Sequence, residues 1–247
     1  MQKLSIYWSR KDFRLNDNPA LFSSINYAQK NKLKLLPIYI IDEKFINNFK
    51  WNFGHPYRYY LSYALSQYTN EFKNFLIAVG NPVEIFTRLS IDYQLEVFAN
   101  NEVEPYSRRR DYEVKNTLQK NNSTLHIFPD QTSISLTTKT GVGNFYSVFT
   151  PFKKSVQDEF INKLPLPKAD LNKAEILNPS KISIKKIEFE NTKTLQKSLF
   201  TYLDKPWILS FGGGQVNLDK IYQRPVYENF GTPVRMKQSN SLMNSTN

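Results

Sequence analysis

The sequence predicts an α/β protein: a five-stranded, parallel, doubly wound (Rossmann-like) sheet with helices on both faces, followed by an irregular connector and tail. Two observations carry this. Five short apolar runs alternate with helix-like segments along the first 130 residues or so, the order that builds parallel sheets. The second run, Leu33–Ile41, is almost continuously apolar, as a strand covered on both faces must be.

Leu4–Trp8 reads as the first strand. It meets a basic, polar turn, Ser9–Arg14, and then Asn16-Asp17-Asn18-Pro19-Ala20-Leu21. Asp17 or Asn18 can cap a helix by accepting a free first-turn N–H, and Pro19 fits just inside, where no N–H is required. The unit is therefore strand, charged loop, helix start. In open α/β sheets, ligands lie beyond the carboxyl ends of such strands.

The second strand ends at Asp42, on the same sheet edge as the Arg10 loop if the two strands run parallel. Pro37 argues for an edge position or the strand's beginning, because it cannot donate to a ladder. Lys44–Phe53 reads as a loop. From Tyr57 to Val79, apolar residues recur at three- and four-residue spacing, which predicts one long helix stopped by Gly80-Asn81 and Pro82. Pro82–Phe86 is expected as the third strand, Val97–Asn100 as the fourth and Leu125–Phe128 as the fifth. Ser107–Leu118 is a predicted helix opened by Pro105, with Ser107 as its cap. The crossovers should be right-handed.

Composition bounds the function. The chain has 247 residues, 40% of them hydrophobic, with 18 Phe and 15 Tyr, enough for a substantial core. There is no Cys, which removes disulfides, thiolate zinc sites and thiol catalysis, and two His residues cannot build a multi-histidine metal site. The net charge of +11 fits nucleic-acid binding or simply a Lys-rich surface. No signal-peptide layout or long apolar span is evident, so a cytoplasmic protein without membrane partners, and a monomer, is expected. Gly212-Gly213-Gly214 lacks the Lys-Ser/Thr of a phosphate loop. Gly141-Val142-Gly143 lacks the third glycine of a dinucleotide fingerprint.

Four ordered blocks carry a resemblance. They are Trp8–Leu15 with Asp17–Leu21; Gly54 with Arg58, Leu61 and Leu65; Asn101–Asp111, containing Glu104-Pro105-Tyr106; and Tyr146-Ser147-Val148-Phe149-Thr150-Pro151-Phe152. Together they resemble the N-terminal domain of the DNA photolyase/cryptochrome family. Trp207–Gln215 resembles the Phe-x-Gly-Gly block that opens the family's flavin-binding helical domain. The resemblance then stops near Gln223. Gly231-Thr232 and Arg235-Met236 echo the flavin-phosphate segment, but Pro233-Val234 replaces its Ser, so no flavin role is carried over.

The implied organisation is an α/β domain over 1–135, an interdomain connector over 136–206, a remnant of the flavin-domain start over 207–223, and a disordered tail over 224–247. Good text followed by unrelated residues is the pattern a frameshift or gene decay leaves. The resemblance implies that full-length relatives use light and FAD to split pyrimidine dimers in DNA, a carbon–carbon lyase reaction. This chain is expected to lack the catalytic domain, to bind no FAD itself and to be inactive alone, so it contributes no catalytic or metal residues. DNA would be a partner only through that other domain. A cryptochrome-like photoreceptor and a stand-alone α/β binding module are the alternatives.

In some members of the family the N-terminal domain holds a light-harvesting antenna chromophore. Arg10, Lys11, Asp12, Phe13 and Asp42 match positions that can line its pocket. Arg10 and Lys11 can pair with a phosphate or carboxylate, and Asp12 and Asp42 can accept from ring or ribose groups. A purely structural role, in which Asp12 and Arg14 brace the loop, is the alternative. The Asn-Glu pair that marks folate-type antenna sites falls at Tyr106 and Ser107 here, which disfavours folate. Arg108-Arg109-Arg110 is the densest basic run; solvent exposure or structural pairing is favoured over DNA contact, because adjacent helix residues point in different directions.

Overall fold

The computed structural model describes residues 1–44, 55–132, 134, 138–162, 164–189 and 191–203. These lie in one compact unit, Met1–Lys205. The expected flavin-domain remnant at 207–223 and the tail at 224–247 fall outside the described residues, as do Gly54 and, beyond Lys44, the expected Lys44–Phe53 loop.

The order of elements is β1 (Gln2–Ser9), α1 (Pro19–Asn31), β2 (Lys34–Ile41), α2 (His55–Asn70), β3 (Leu76–Val79), α3 (Pro82–Asp92), β4 (Tyr93–Asn100), α4 (Pro105–Lys120), β5 (Thr124–Phe128), α5 (Phe149–Asn162) and α6 (Thr192–Leu203). The five strands form one sheet in the order β3-β2-β1-β4-β5, and every pairing is parallel. Alternate β1 residues feed opposite cores. Tyr7 joins Leu21, Ile25, Leu65 and Phe72 under α1 and α2, whereas Leu4, Ile6 and Trp8 join Phe86, Leu89, Val114 and Leu118 under α3 and α4. This division is the doubly wound layout.

Two expected elements are corrected. Pro82–Phe86 is not a strand but the start of α3. Asn81 caps it, its side chain accepting from the Val83 N–H, and Pro82 occupies the first turn. Ile85, Phe86 and Leu89 are buried at the spacing of a helix face. The third strand is instead Leu76–Val79, the end of what reads as one long helix. The α2 helix closes at Asn70, where Glu71 and Phe72 turn back onto the Tyr68 and Thr69 carbonyls. Phe72 and Phe75 keep the apolar spacing unbroken across the turn, which hides it from a periodicity argument.

Pro37 is likewise not at an edge, because β2 lies between β1 and β3. The Leu35 N–H donates to the Glu175 carbonyl, and the Ile41 carbonyl accepts from Gly80, so odd-numbered residues of β2 hydrogen-bond away from β1. Pro37 therefore aims its missing N–H at the β3 side, one residue before β3 begins pairing at Ile38 and Leu76. The α4 helix begins at Pro105 with Glu104 as its cap residue, so Ser107 lies inside the first turn rather than capping it.

The connector expected over 136–206 is not irregular throughout: it carries α5 and α6, and the stretch between them, which has only two short 3-10 turns, is tightly held. It forms bridges at Leu35–Ile176 and Ala78–Lys186, the latter antiparallel along β3. Ala169, Leu195 and Leu199 enter one core, and Leu177 and Ile182 the other. No helix among the described residues is long and apolar enough to cross a membrane.

Candidate functional site at the carboxyl edge of the sheet

Parallel β1, β2 and β4 end side by side, so the Arg10–Phe13 loop, Asp42 and Asn101–Glu104 come to one edge. At its centre is a buried polar network. Asp12 accepts from the Asn100 side chain at 2.6 Å, the Arg10 backbone N–H at 2.8 Å and the Tyr7 hydroxyl at 3.2 Å. Tyr68 donates to the Tyr7 oxygen at 3.1 Å, and the Asn18 amide does so at 2.9 Å. Asn18 also caps α1 through Leu21, and Asn100 accepts from Ala20. Burial, then the Asp12 charge, pushes both the Tyr7 and Tyr68 hydroxyls well above the ordinary tyrosine range, so both stay protonated donors.

Beside it lies a charged layer. Arg10 is 5% exposed, and its guanidinium grips Asp111 with two hydrogen bonds, at 2.8 and 2.9 Å, and the Asn100 carbonyl at 2.9 Å. It stacks over Trp8 at 4.1 Å, with Arg110 over the same ring at 5.0 Å. Arg110 also pairs with Glu102 and Asp111. Burial lowers the Arg10 pKa, and the neighbouring Arg110 charge lowers it further. For Glu102, burial works to raise the pKa, but the Arg110 and Arg10 charges outweigh it and leave the carboxyl below its usual range.

Of the five expected site residues, Arg10 and Asp12 are thus buried and engaged inside the protein. Lys11 is exposed and reaches Glu104 at 2.6 Å and Glu102 at 3.6 Å. Phe13 is half-buried against Tyr39 and Tyr68, with ring centroids 5.7 and 5.6 Å away. Asp42 accepts from the Tyr106 hydroxyl and the Lys44 N–H. Burial, then the Asp42 bond, pushes the Tyr106 hydroxyl well above its ordinary range. Ser107 is buried and donates to Glu102 at 2.9 Å. Arg14 ion-pairs with Asp130. In the basic run, Arg109 is exposed beside Glu113 while Arg110 is half-buried in the charged layer. Sequence reasoning missed Asn100, Tyr68 and Glu102 as members of the edge. Asn100 had a findable signal, since it ends β4 as Asp42 follows β2; Tyr68 lies 61 residues from its partner Tyr7 and had none.

A family model described as DNA photolyase matches residues 5–169. The chain belongs to the DNA photolyase family. A deoxyribodipyrimidine photo-lyase of Synechococcus sp. is 28% identical over 192 residues, covering 72% of this chain and 36% of that protein. Among solved structures, a bacterial class III photolyase from Agrobacterium tumefaciens is similar at TM-score 0.60 and 20% identity, over 76% of this chain and 37% of that one. An archaeal photolyase from Sulfolobus tokodaii, described with two FAD molecules and a novel light-harvesting cofactor, has TM-score 0.60 and 18% identity, over 89% of this chain and 45% of that one. A Synechocystis sp. cryptochrome has TM-score 0.59 and 16% identity, over 77% of this chain and 40% of that one. These likenesses share the sheet fold, and this photolyase-family chain spans about a third of the length of its curated relative.

Proposed function

We propose that this chain serves as the antenna-side α/β domain of a photolyase-type DNA repair protein. The observation that carries it is the family match over 5–169, which coincides with the sheet domain and reaches just past α5. The light-driven, FAD-dependent splitting of pyrimidine dimers would belong to a flavin-carrying domain beyond that stretch, and DNA would be met there. A cryptochrome-like photoreceptor shares the fold, but the sequence relative is a photo-lyase, which favours repair.

At the carboxyl edge, the residues fit a planar, anionic chromophore. Phe13 and Tyr39 offer a half-buried aromatic shelf and Asp42 an acceptor, while Lys11, paired with Glu104 and Glu102, would serve an anion by exchanging those carboxylates. Such a group supplies light absorption; the chain binds and orients it. Arg10 and Asp12 act indirectly, by holding the loop. A folate is disfavoured, because the positions of its Asn-Glu pair hold Tyr106 and Ser107, tied to Asp42 and Glu102.

Fluorescence titration of the full chain with FAD and with a reduced folate tests this. Although the sequence alone leads to an expectation of no FAD, the Sulfolobus tokodaii photolyase is described with two FAD molecules, so FAD is the chromophore tried. Its binding, weakened roughly tenfold by Phe13→Ala or Lys11→Glu, with no folate binding, is expected, given typical single-contact losses of about 1–2 kcal/mol. Failure to bind either chromophore overturns the antenna reading. Blue-light loss of dimers from DNA with this chain alone overturns the placement of the chemistry in another domain.

A further inference from the structure

The connector and the carboxyl-edge loop meet at Asp17. Asp17 has φ +48°, one of three non-glycine residues in the left-handed region among the described residues. Two hydrogen bonds hold it there from across the chain. Its side-chain oxygen accepts from the Leu166 N–H at 2.8 Å, and its own N–H donates to the Leu166 carbonyl at 3.2 Å. Two residues earlier, the Leu15 carbonyl accepts from Ala169 at 3.0 Å, and Ala169 itself is 5% exposed within the core. Arg14 donates to the Asp17 carbonyl at 2.6 Å and also pairs with Asp130. The next residue, Asn18, enters the buried network with Asp12, Tyr7 and Asn100.

We infer that Asp17 is a positioning residue that clamps the connector, at Leu166–Ala169, to the Arg10–Asn18 loop, so that the shape of the carboxyl edge depends on the connector being seated. The physical reason is continuity. Leu166 holds the backbone N–H and the side chain of Asp17, the left-handed backbone at Asp17 sets the direction in which Asn18 leaves, and Asn18 ties Asp12 and Asn100 together. A connector that lifts off frees Asp17 to relax to a commoner backbone state and withdraws Asn18 from Asp12. Binding at the edge and seating of the connector then become linked equilibria. The ligand half of this linkage rests on the antenna reading proposed above; the clamp itself does not.

Three substitutions separate the contributions. Asp17→Asn keeps an acceptor oxygen and tolerates a left-handed backbone. Asp17→Gly keeps the backbone freedom and loses the acceptor. Asp17→Ala loses both. Hydrogen exchange on the full chain is the readout, followed in residues 10–18 and 164–170, with β4 as the internal control for global unfolding. Asp17→Gly and Asp17→Ala should speed exchange by about tenfold in both segments together and leave β4 unchanged, while Asp17→Asn stays near the parent. Normal exchange in Asp17→Gly shows that backbone conformation alone matters and overturns the clamp. Faster exchange in 164–170 with 10–18 unchanged overturns the coupling. If Asp17→Ala does not fold, the Gly and Asn pair still decides. Where FAD binds, protection of 164–170 on adding FAD is the further expected result; its absence in a chain that binds FAD overturns the linkage. A chain that binds neither FAD nor folate contradicts the antenna reading and leaves the exchange result to judge the clamp.

Discussion

Asp12 shows how one carboxylate organises an edge. It accepts from Asn100, Arg10 and Tyr7 while only 8% exposed, so its removal strands several donors in a site water reaches poorly. Asp12→Ala should cost about 2–4 kcal/mol, read as a lower urea midpoint with an unchanged slope. Glu102 makes a different prediction. Its folded pKa lies below the ordinary glutamate value, so it adds stability that is present above that value and lost as pH falls through the lower, folded one. The acid limb of the stability curve, below about pH 4.5, should therefore flatten in Glu102→Gln, as measured by urea unfolding across pH. An acid limb identical to the parent's would show that Arg110 and Arg10 gain nothing from that charge. At this scale the sequence named Arg10, Asp12 and Asp42, yet not their partners. Which donor faces Asp12 depends on β4 lying beside β1, and that donor, Asn100, is 88 residues away in the chain.

Among the elements, the connector does what its composition hides. Val79 donates to the Lys185 carbonyl and Ile187 to the Ile77 carbonyl, covering the outer side of β3. An uncovered edge strand is a template for pairing with other chains. A version ending at residue 162 should bare β3 and the Leu35 carbonyl, lose the buried Ala169, Leu177, Ile182, Leu195 and Leu199, and associate; light scattering against the full chain measures this. Equal monodispersity would show that the connector is dispensable to the sheet. The periodicity that placed β1, β2, β4 and β5 failed at β3, because a four-residue buried strand, Leu76–Val79, and the preceding helix share one apolar spacing. It failed again at Pro82–Phe86, where five residues are too few to distinguish the two periods; the capping Asn81 with Pro82 was the better signal.

On the scale of the whole molecule, the chain's own residues determined that a parallel, doubly wound sheet would form. Alternation of short apolar runs with helices permits little else, and the motif blocks from Trp8 to Phe152 carried the family. They also determined where the candidate site would lie, since a charged loop after a first parallel strand must emerge at the carboxyl edge. Only the tertiary structure decided what those charges do. Burial turned Arg10 from a free cation into the partner of Asp111, and it turned Asp12 into the acceptor for β1, β4 and its own loop. It left Lys11 exposed beside Glu104 and Glu102, and Phe13 and Asp42 half-buried. Tertiary structure alone also joined Asp17 to Leu166, 149 residues away. The reason is common to all of these: local pattern sets how a segment folds, whereas desolvation and hydrogen-bond pairing depend on which distant segments pack against it.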